Sequence, residues 1–241
     1  VSAPDPLARL RDATRARVAL GRAGDALPTA RLLELRAAHA AARDAVHDPL
    51  DVDALVAELV AETGAEPLVA TSAAGSRAEY LQRPDLGRRL DGGTELPAGE
   101  HDVVVVLADG LSPQAVHAHG VPMLRALTER LDGWRIAPVV VATQARVALG
   151  DEIAAALGAR SVVVLVGERP GMSSTDSLGI YFTFDARRGR RDSERNCLSN
   201  IRPPHGTGYD AAATTCVMLM AEAKRLGLSG VALKADPALT G

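Results

Sequence analysis

The chain has 241 residues, 47% of them hydrophobic, with two cysteines and a formal charge of −3 at pH 7. That length and apolar content suit a packed globule with a real core and exclude a disordered chain. The charge argues against an electrostatically driven nucleic-acid binder. Two cysteines exclude a disulfide scaffold and a paired-cysteine zinc site, and point to a reducing cytoplasm.

Aromatic residues make up only 2%, so the core must be built from Val, Leu and Ala. No apolar run reaches the ~18 residues of a transmembrane helix, and no basic-then-apolar signal pattern opens the chain, so no membrane partner is expected. Residues 1–65 read as three helices, an arm or small subdomain. The first runs from Pro6 to Leu20, with Leu7, Leu10, Ala13 and Val18 roughly on one face and Gly21 and Gly24 as stops. The second spans Thr29–Val46 with an Arg-rich outer face. The third is capped by Asp51 and ended by Gly64. Helices this polar either pack on the domain or contact another chain.

Residues 66–241 read as an α/β domain. A strand within Glu66–Ala74 precedes the block YLQRPDLGRRL, Tyr80 to Leu90, which by itself is a Pro/Gly turn with exposed arginines. From His101 strands and helices alternate: HDVVVVLA, a helix over Pro113–Leu131, WRIAPVVVAT, a helix over Gln144–Gly158, SVVVLVGE, then IYFTFD and a helix over Asp210–Leu228. The alternation predicts a Rossmann-like, doubly wound, mainly parallel sheet.

In open α/β sheets ligands sit beyond the carboxyl ends of the strands. Glu168 stands there, free either to meet a polar ligand edge or to pair with an Arg. Arg146 and Val147 stand at the start of the following helix. Asp109-Gly110-Leu111-Ser112 follows the first long strand, with Ser112 and Pro113 as N-cap and first helical residue. Cys197 has three readings: a nucleophile, an apolar filler, or a pocket-lining residue. Cys216 lies among apolar helix residues and reads as core. His205-Gly206-Thr207-Gly208 reads as a flexible lead into the last helix. Neither G-x-G-x-x-G nor G-x-x-x-x-G-K-[ST] is present, and no G-x-S-x-G surrounds Ser173, Ser174 or Ser177. His117 and His119 are two apart, a spacing that points them in different directions on a helix, so no metal site is expected.

Several blocks in order, RARVALGRAG, YLQRPDLGRRL, ADGLS, Arg146-Val147 with GDEI, LVGERPG and ERNCLSNI, closely resemble the ethanolamine ammonia-lyase light (small) chain. The resemblance covers nearly the whole chain and departs from the family chiefly in the basic run Arg187 to Arg191. It implies a light subunit of an adenosylcobalamin-dependent enzyme that converts ethanolamine to acetaldehyde and ammonia. Val147, Glu168 and Cys197 would contact the cofactor, with ERNC as a cofactor-facing loop. The large (heavy) subunit, a barrel, would carry the substrate and the catalytic residues. The D-x-H-x-x-G string of cobalamin proteins that replace the lower base with histidine is missing, so the cofactor is expected base-on. The enzyme would be cytoplasmic, either free or packed in a bacterial microcompartment. The competing expectation is a stand-alone Rossmann-like binding protein for a small polar ligand.

Overall fold

The computed structural model describes residues 7–12, 14 and 16–233. Its centre is a six-stranded sheet in the order β1-β3-β2-β4-β5-β6. The strands are β1 Leu68–Thr71, β2 His101–Ala108, β3 Val140–Thr143, β4 Ala159–Gly167, β5 Leu178–Phe184 and β6 Arg195–Ile201. The first four in spatial order run parallel, with Val106 opposite both Val140 and Val164. β5 and β6 are antiparallel additions, Leu165 facing Ile180 and Tyr181 facing Cys197. The chain is therefore α/β with a mixed sheet. The expectation of a mainly parallel sheet holds only for its β1-β3-β2-β4 half, because β4, β5 and β6 follow one another through loops with no crossover helix, and direct connections of this kind give antiparallel neighbours.

The helices are α1 Ala8–Asp12, α2 Thr29–His47, α3 Val52–Thr63, α4 Arg77–Gln82, α5 Pro113–Thr128, α6 Leu149–Leu157 and α7 Tyr209–Leu226. The valine run of β2 is buried on both faces, which is why it lacks polar alternation. Val103, Val105 and Leu107 pack with Val163 and Leu165 against α5, α7 and Leu55 and Leu59 of α3. Val104, Val106 and Ala108 face the other way, with Val162 and Val164, against Leu149, Ile153 and Leu157 of α6. Cys216 is fully buried in the first of these cores, its thiol pushed up to about 12 by desolvation.

Helix caps follow the sequence closely. The Asp51 side chain accepts from the Ala54 amide, and Gly64 ends α3 in the left-handed conformation. The Ser112 side chain caps α5 by accepting from the Ala115 amide. The two histidines of α5 do diverge. His117 Nε2 accepts from the Asp51 amide at 3.2 Å, whereas His119 Nδ1 meets the Tyr209 hydroxyl at 2.8 Å.

Four boundaries differ most from the sequence reading, while α5 and α7 end two or three residues earlier than expected. The first helix is only α1, and residues 16–28 are not helical. Leu7 and Leu10 stay exposed, so the segment has no apolar face to dock and a short helix lacks tertiary support. The strand expected over WRIAPVVVAT is cut to β3 by Pro138, leaving Ile136 as a lone bridge to Val103. The helix expected from Gln144 starts at Leu149 instead, so Arg146 and Val147 lie in the loop before it. The ERNC segment, expected as a loop, opens strand β6, because β5 offers it a free edge. Among the described residues no helix is long and apolar enough to cross a membrane.

Candidate functional site at the strand carboxyl ends

The carboxyl ends of β2, β3 and β4 lie side by side, and the loops after β2 and β3 are locked by one carboxylate. Asp109, just past β2, is 2% exposed. Its Oδ2 accepts from the Gln144 amide at 2.7 Å and its Oδ1 from the Ala145 amide at 2.9 Å. Arg77 Nη1 donates to the same Oδ2 at 3.0 Å and to the Gly110 carbonyl at 2.9 Å. Burial pushes the Asp109 carboxyl above its ordinary range, against the pull of Arg77 and the amides. This bridge holds Gln144 at a φ of +53° and explains why helix α6 cannot begin there.

Two glycines let the β2 and β4 ends touch. Gly110 has a φ of +54°, and a Cβ on it would fall 2.3 Å from the Gly167 carbonyl oxygen. A Cβ on Gly167 would fall 2.0 Å from the Ser112 carbonyl oxygen. The Leu111 amide donates to the Gly167 carbonyl at 2.9 Å, closing the contact.

Glu168 follows directly. Its Oε2 accepts from the Ser177 hydroxyl at 2.5 Å and from the Asn200 amide at 3.2 Å, and its Oε1 accepts from the Ser199 hydroxyl. Among the described residues it forms no ion pair with an arginine, so the competing reading of an Arg-paired Glu168 is not what the fold builds. With three donors in place the carboxylate is fixed in direction and keeps acceptor capacity for one more N–H.

Glu168 and Val147 line one cavity of about 440 Å³, together with Tyr80, Arg146, Arg169 and Tyr181 among others. Cys197 does not line it. It stands one strand further out, opposite Tyr181, as an exposed residue. Desolvation raises its thiol pKa, as does the Glu168 charge, against a hydrogen bond with Tyr181. That is the reverse of an activated nucleophile, so the thiolate reading finds no support. A larger cavity, about 680 Å³, lies beside Arg88 and the Arg188–Asp192 loop, but there five arginines face four carboxylates and the charge nearly cancels.

The sequence reading gave no site role to Tyr80, which lines the cavity. Tyr80 is fully buried, its hydroxyl donating to the Ala145 carbonyl at 3.2 Å. The guanidinium carbons of Arg146 and Arg77 lie 4.5 Å and 4.9 Å from its ring centre. The YLQRPDLG block keeps an exposed turn with exposed Arg83, Arg88 and Arg89, but its two buried residues reach the strand ends: Gly87 lies under the Tyr80 ring, and its carbonyl accepts from the Arg146 amide at 2.8 Å. The available signal was a tyrosine inside that block in a chain with three tyrosines in all.

Comparison with known proteins shows the family of the chain. Residues 4–234 match the family model described as ethanolamine ammonia-lyase light chain (EutC). The protein named ethanolamine ammonia-lyase small subunit from Rhodococcus erythropolis is 51% identical over 226 residues, 93% of this chain and 88% of that protein. Its namesake from Ralstonia nicotianae is 51% identical over 240 residues, covering 95% and 88%. That from Pseudomonas syringae pv. tomato is 49% identical over 246 residues, covering 98% and 85%. With a family match over almost its whole length, and relatives near half-identical, the chain belongs to the ethanolamine ammonia-lyase light-chain family.

Proposed function

We propose that this chain is the light subunit of an adenosylcobalamin-dependent ethanolamine ammonia-lyase, which converts ethanolamine to acetaldehyde and ammonia only in complex with a large subunit. The observation that carries the reading is the family match over residues 4–234 combined with Val147 and Glu168 meeting in one strand-end cavity.

The residues of that cavity fit the cofactor. A corrin is a broad apolar disc fringed with amides. Val147, Val166, Leu111 and Tyr181 offer apolar wall, and Glu168 offers an acceptor already aimed by three donors. The Arg146 Nε is buried without an acceptor. The cofactor is read as base-on, keeping its own lower ligand, because the D-x-H-x-x-G string is missing from the sequence. Val147 and Glu168 would hold the ring edge and Cys197, through Tyr181, its outer rim.

The chemistry that adenosylcobalamin supplies when bound is a carbon-centred radical for hydrogen abstraction and amine migration. The light chain's own part is binding, orientation and exclusion of water. Glu168 holds its direction through Ser177 and Ser199, and the Gly110–Gly167 contact keeps the floor of the site rigid. Catalytic side chains and the ethanolamine pocket belong to the large subunit.

The remaining parts of the reading follow. Residues 66–241, with the Rossmann-like winding of β1 to β4, form the cobalamin-contacting domain, and residues 1–65 a helical arm. Of the 19 residues in α2 only Ala45 is buried, which supports a role for the arm against the partner chain. The complex works in the cytoplasm, free or within a bacterial microcompartment. Turnover tests the proposal: the light chain alone with added cofactor gives no acetaldehyde, and the co-expressed pair does. Acetaldehyde from the light chain alone overturns it.

A further inference from the structure

We infer that Arg146 is a ligand-binding residue, whose guanidinium donates to acceptor oxygens on the molecule held at the strand ends, and that Tyr80 is its positioning residue. The inference rests on the cobalamin reading above and extends it to a side chain which that reading does not require.

Arg146 stands where three cavities meet. It lines the strand-end cavity of about 440 Å³, a cavity of about 610 Å³ between α2 and the Arg169–Met172 loop, and one of about 260 Å³ leading toward Arg88. Its backbone N–H is engaged by the Gly87 carbonyl. Among the described residues its side chain makes no hydrogen bond and no ion pair, and its Nε is buried with nothing to donate to. A guanidinium carries five N–H donors and stays charged at any pH the protein meets. Leaving one half-buried and unmatched is costly, and the more buried guanidiniums of Arg77 and Arg195 are matched by Asp109 and Asp151.

Arg146 is held in place by a ring instead of by acceptors. Its guanidinium carbon is 4.5 Å from the centre of the fully buried Tyr80 ring. Gly87 keeps the space open, since a Cβ there would come within 3.0 Å of the Arg146 Cγ and 2.8 Å of the ring. Stacking of this kind fixes the plane of the fork and leaves its N–H edges free. Glu168 shares this cavity wall, but its carboxylate is turned to Ser177, Ser199 and Asn200 and, among the described residues, makes no ion pair with Arg146. No acceptor among the described residues meets the fork, so the bound molecule supplies it. Cobalamin offers two sources of one chemistry, the carbonyl oxygens of its peripheral amides and the phosphodiester of its nucleotide tail.

The test measures dissociation constants of cyanocobalamin and of dicyanocobinamide, which lacks the nucleotide tail, by visible absorption on the co-expressed complex. Arg146→Met should weaken cyanocobalamin by about tenfold or more. Equal weakening of cobinamide assigns the contact to the amides, and weakening of cobalamin alone assigns it to the phosphodiester. Tyr80→Leu should reproduce the Arg146→Met loss, and Tyr80→Phe, which restores the ring, should recover most of it. If Arg146→Met fails to assemble, Arg146→Lys decides, since it keeps the charge and loses the stacked fork. An Arg146 variant that assembles and binds cobalamin within about twofold of wild type overturns the inference and leaves the cofactor reading standing. A wild-type complex that binds no cobalamin overturns the reading itself and the inference with it.

Discussion

Two arginines on the same side of the sheet live in opposite circumstances. Arg195, at the start of β6, is 6% exposed and donates to both Asp151 oxygens, at 2.8 and 2.7 Å, and to Thr183 Oγ1 at 2.9 Å. It also reaches the Arg190 carbonyl at 3.0 Å. Arg146, in the loop before α6, stacks on Tyr80, and among the described residues its side chain donates to nothing. A buried charge surrounded by acceptors from its own chain clamps α6 to β6. A half-buried charge with none is a place where something else completes the structure. The chain thus separates a closed region, sealed by Arg195 and Asp151, from an open one at the strand ends.

Breaking the closed region should have the largest effect. Arg195→Met leaves Asp151 buried and unpaired, which should cost about 3–5 kcal/mol in urea unfolding. If it costs under about 1 kcal/mol, the two arginines are not different in kind. Next is the floor of the open region. Gly167→Ala drives a methyl group against the Ser112 and Asp109 carbonyls and should destabilise by roughly 1–3 kcal/mol, with loss of cobalamin binding.

Arg146→Met sharpens the contrast from the other side. With no hydrogen bond to lose, its unfolding free energy should stay within about 1 kcal/mol of wild type, the stacking on Tyr80 being all that goes. A smaller, pH-dependent effect belongs to His119, whose pKa burial lowers below the ordinary 6.5 despite Asp176. The unfolded chain then binds the proton more readily than the folded one. Stability should be full above pH 6.5 and fall as the pH drops toward the lower folded value, and His119→Phe should flatten that slope in unfolding curves. Smallest of all, Leu10→Ser on the exposed first helix should change stability by less than about 0.5 kcal/mol.

The contrast also explains what could be read in the sequence. The closed parts were legible because burial leaves periodic marks. The valine runs of β2 and β4 bury two faces each, Asp51 and Gly64 bracket α3, and Ser112 caps α5. The site was legible in part. Glu168 and Val147 stand next to strand ends, where position alone draws attention, and the structure brings them to one cavity. What failed was whatever depends on partners far along the chain. Gln144 and Ala145 are kept out of α6 by a carboxylate 35 and 36 residues earlier. Tyr80 meets the Ala145 carbonyl 65 residues away. β6 becomes a strand only because β5 lies beside it. No local pattern carries such information, and a largely exposed Pro/Gly block can still bury a tyrosine and a glycine at the strand ends.

The most direct measurement of the central claim is the visible absorption of cobalamin retained by the purified complex of this chain with its large subunit, for wild type and for Glu168→Ala. The account predicts bound cobalamin in the wild-type complex, ethanolamine-dependent Co(II) formation there, and retention weakened by about tenfold in Glu168→Ala. Cobalamin held equally well by both complexes would contradict it, because the strand-end cavity would then not be the wall this chain supplies.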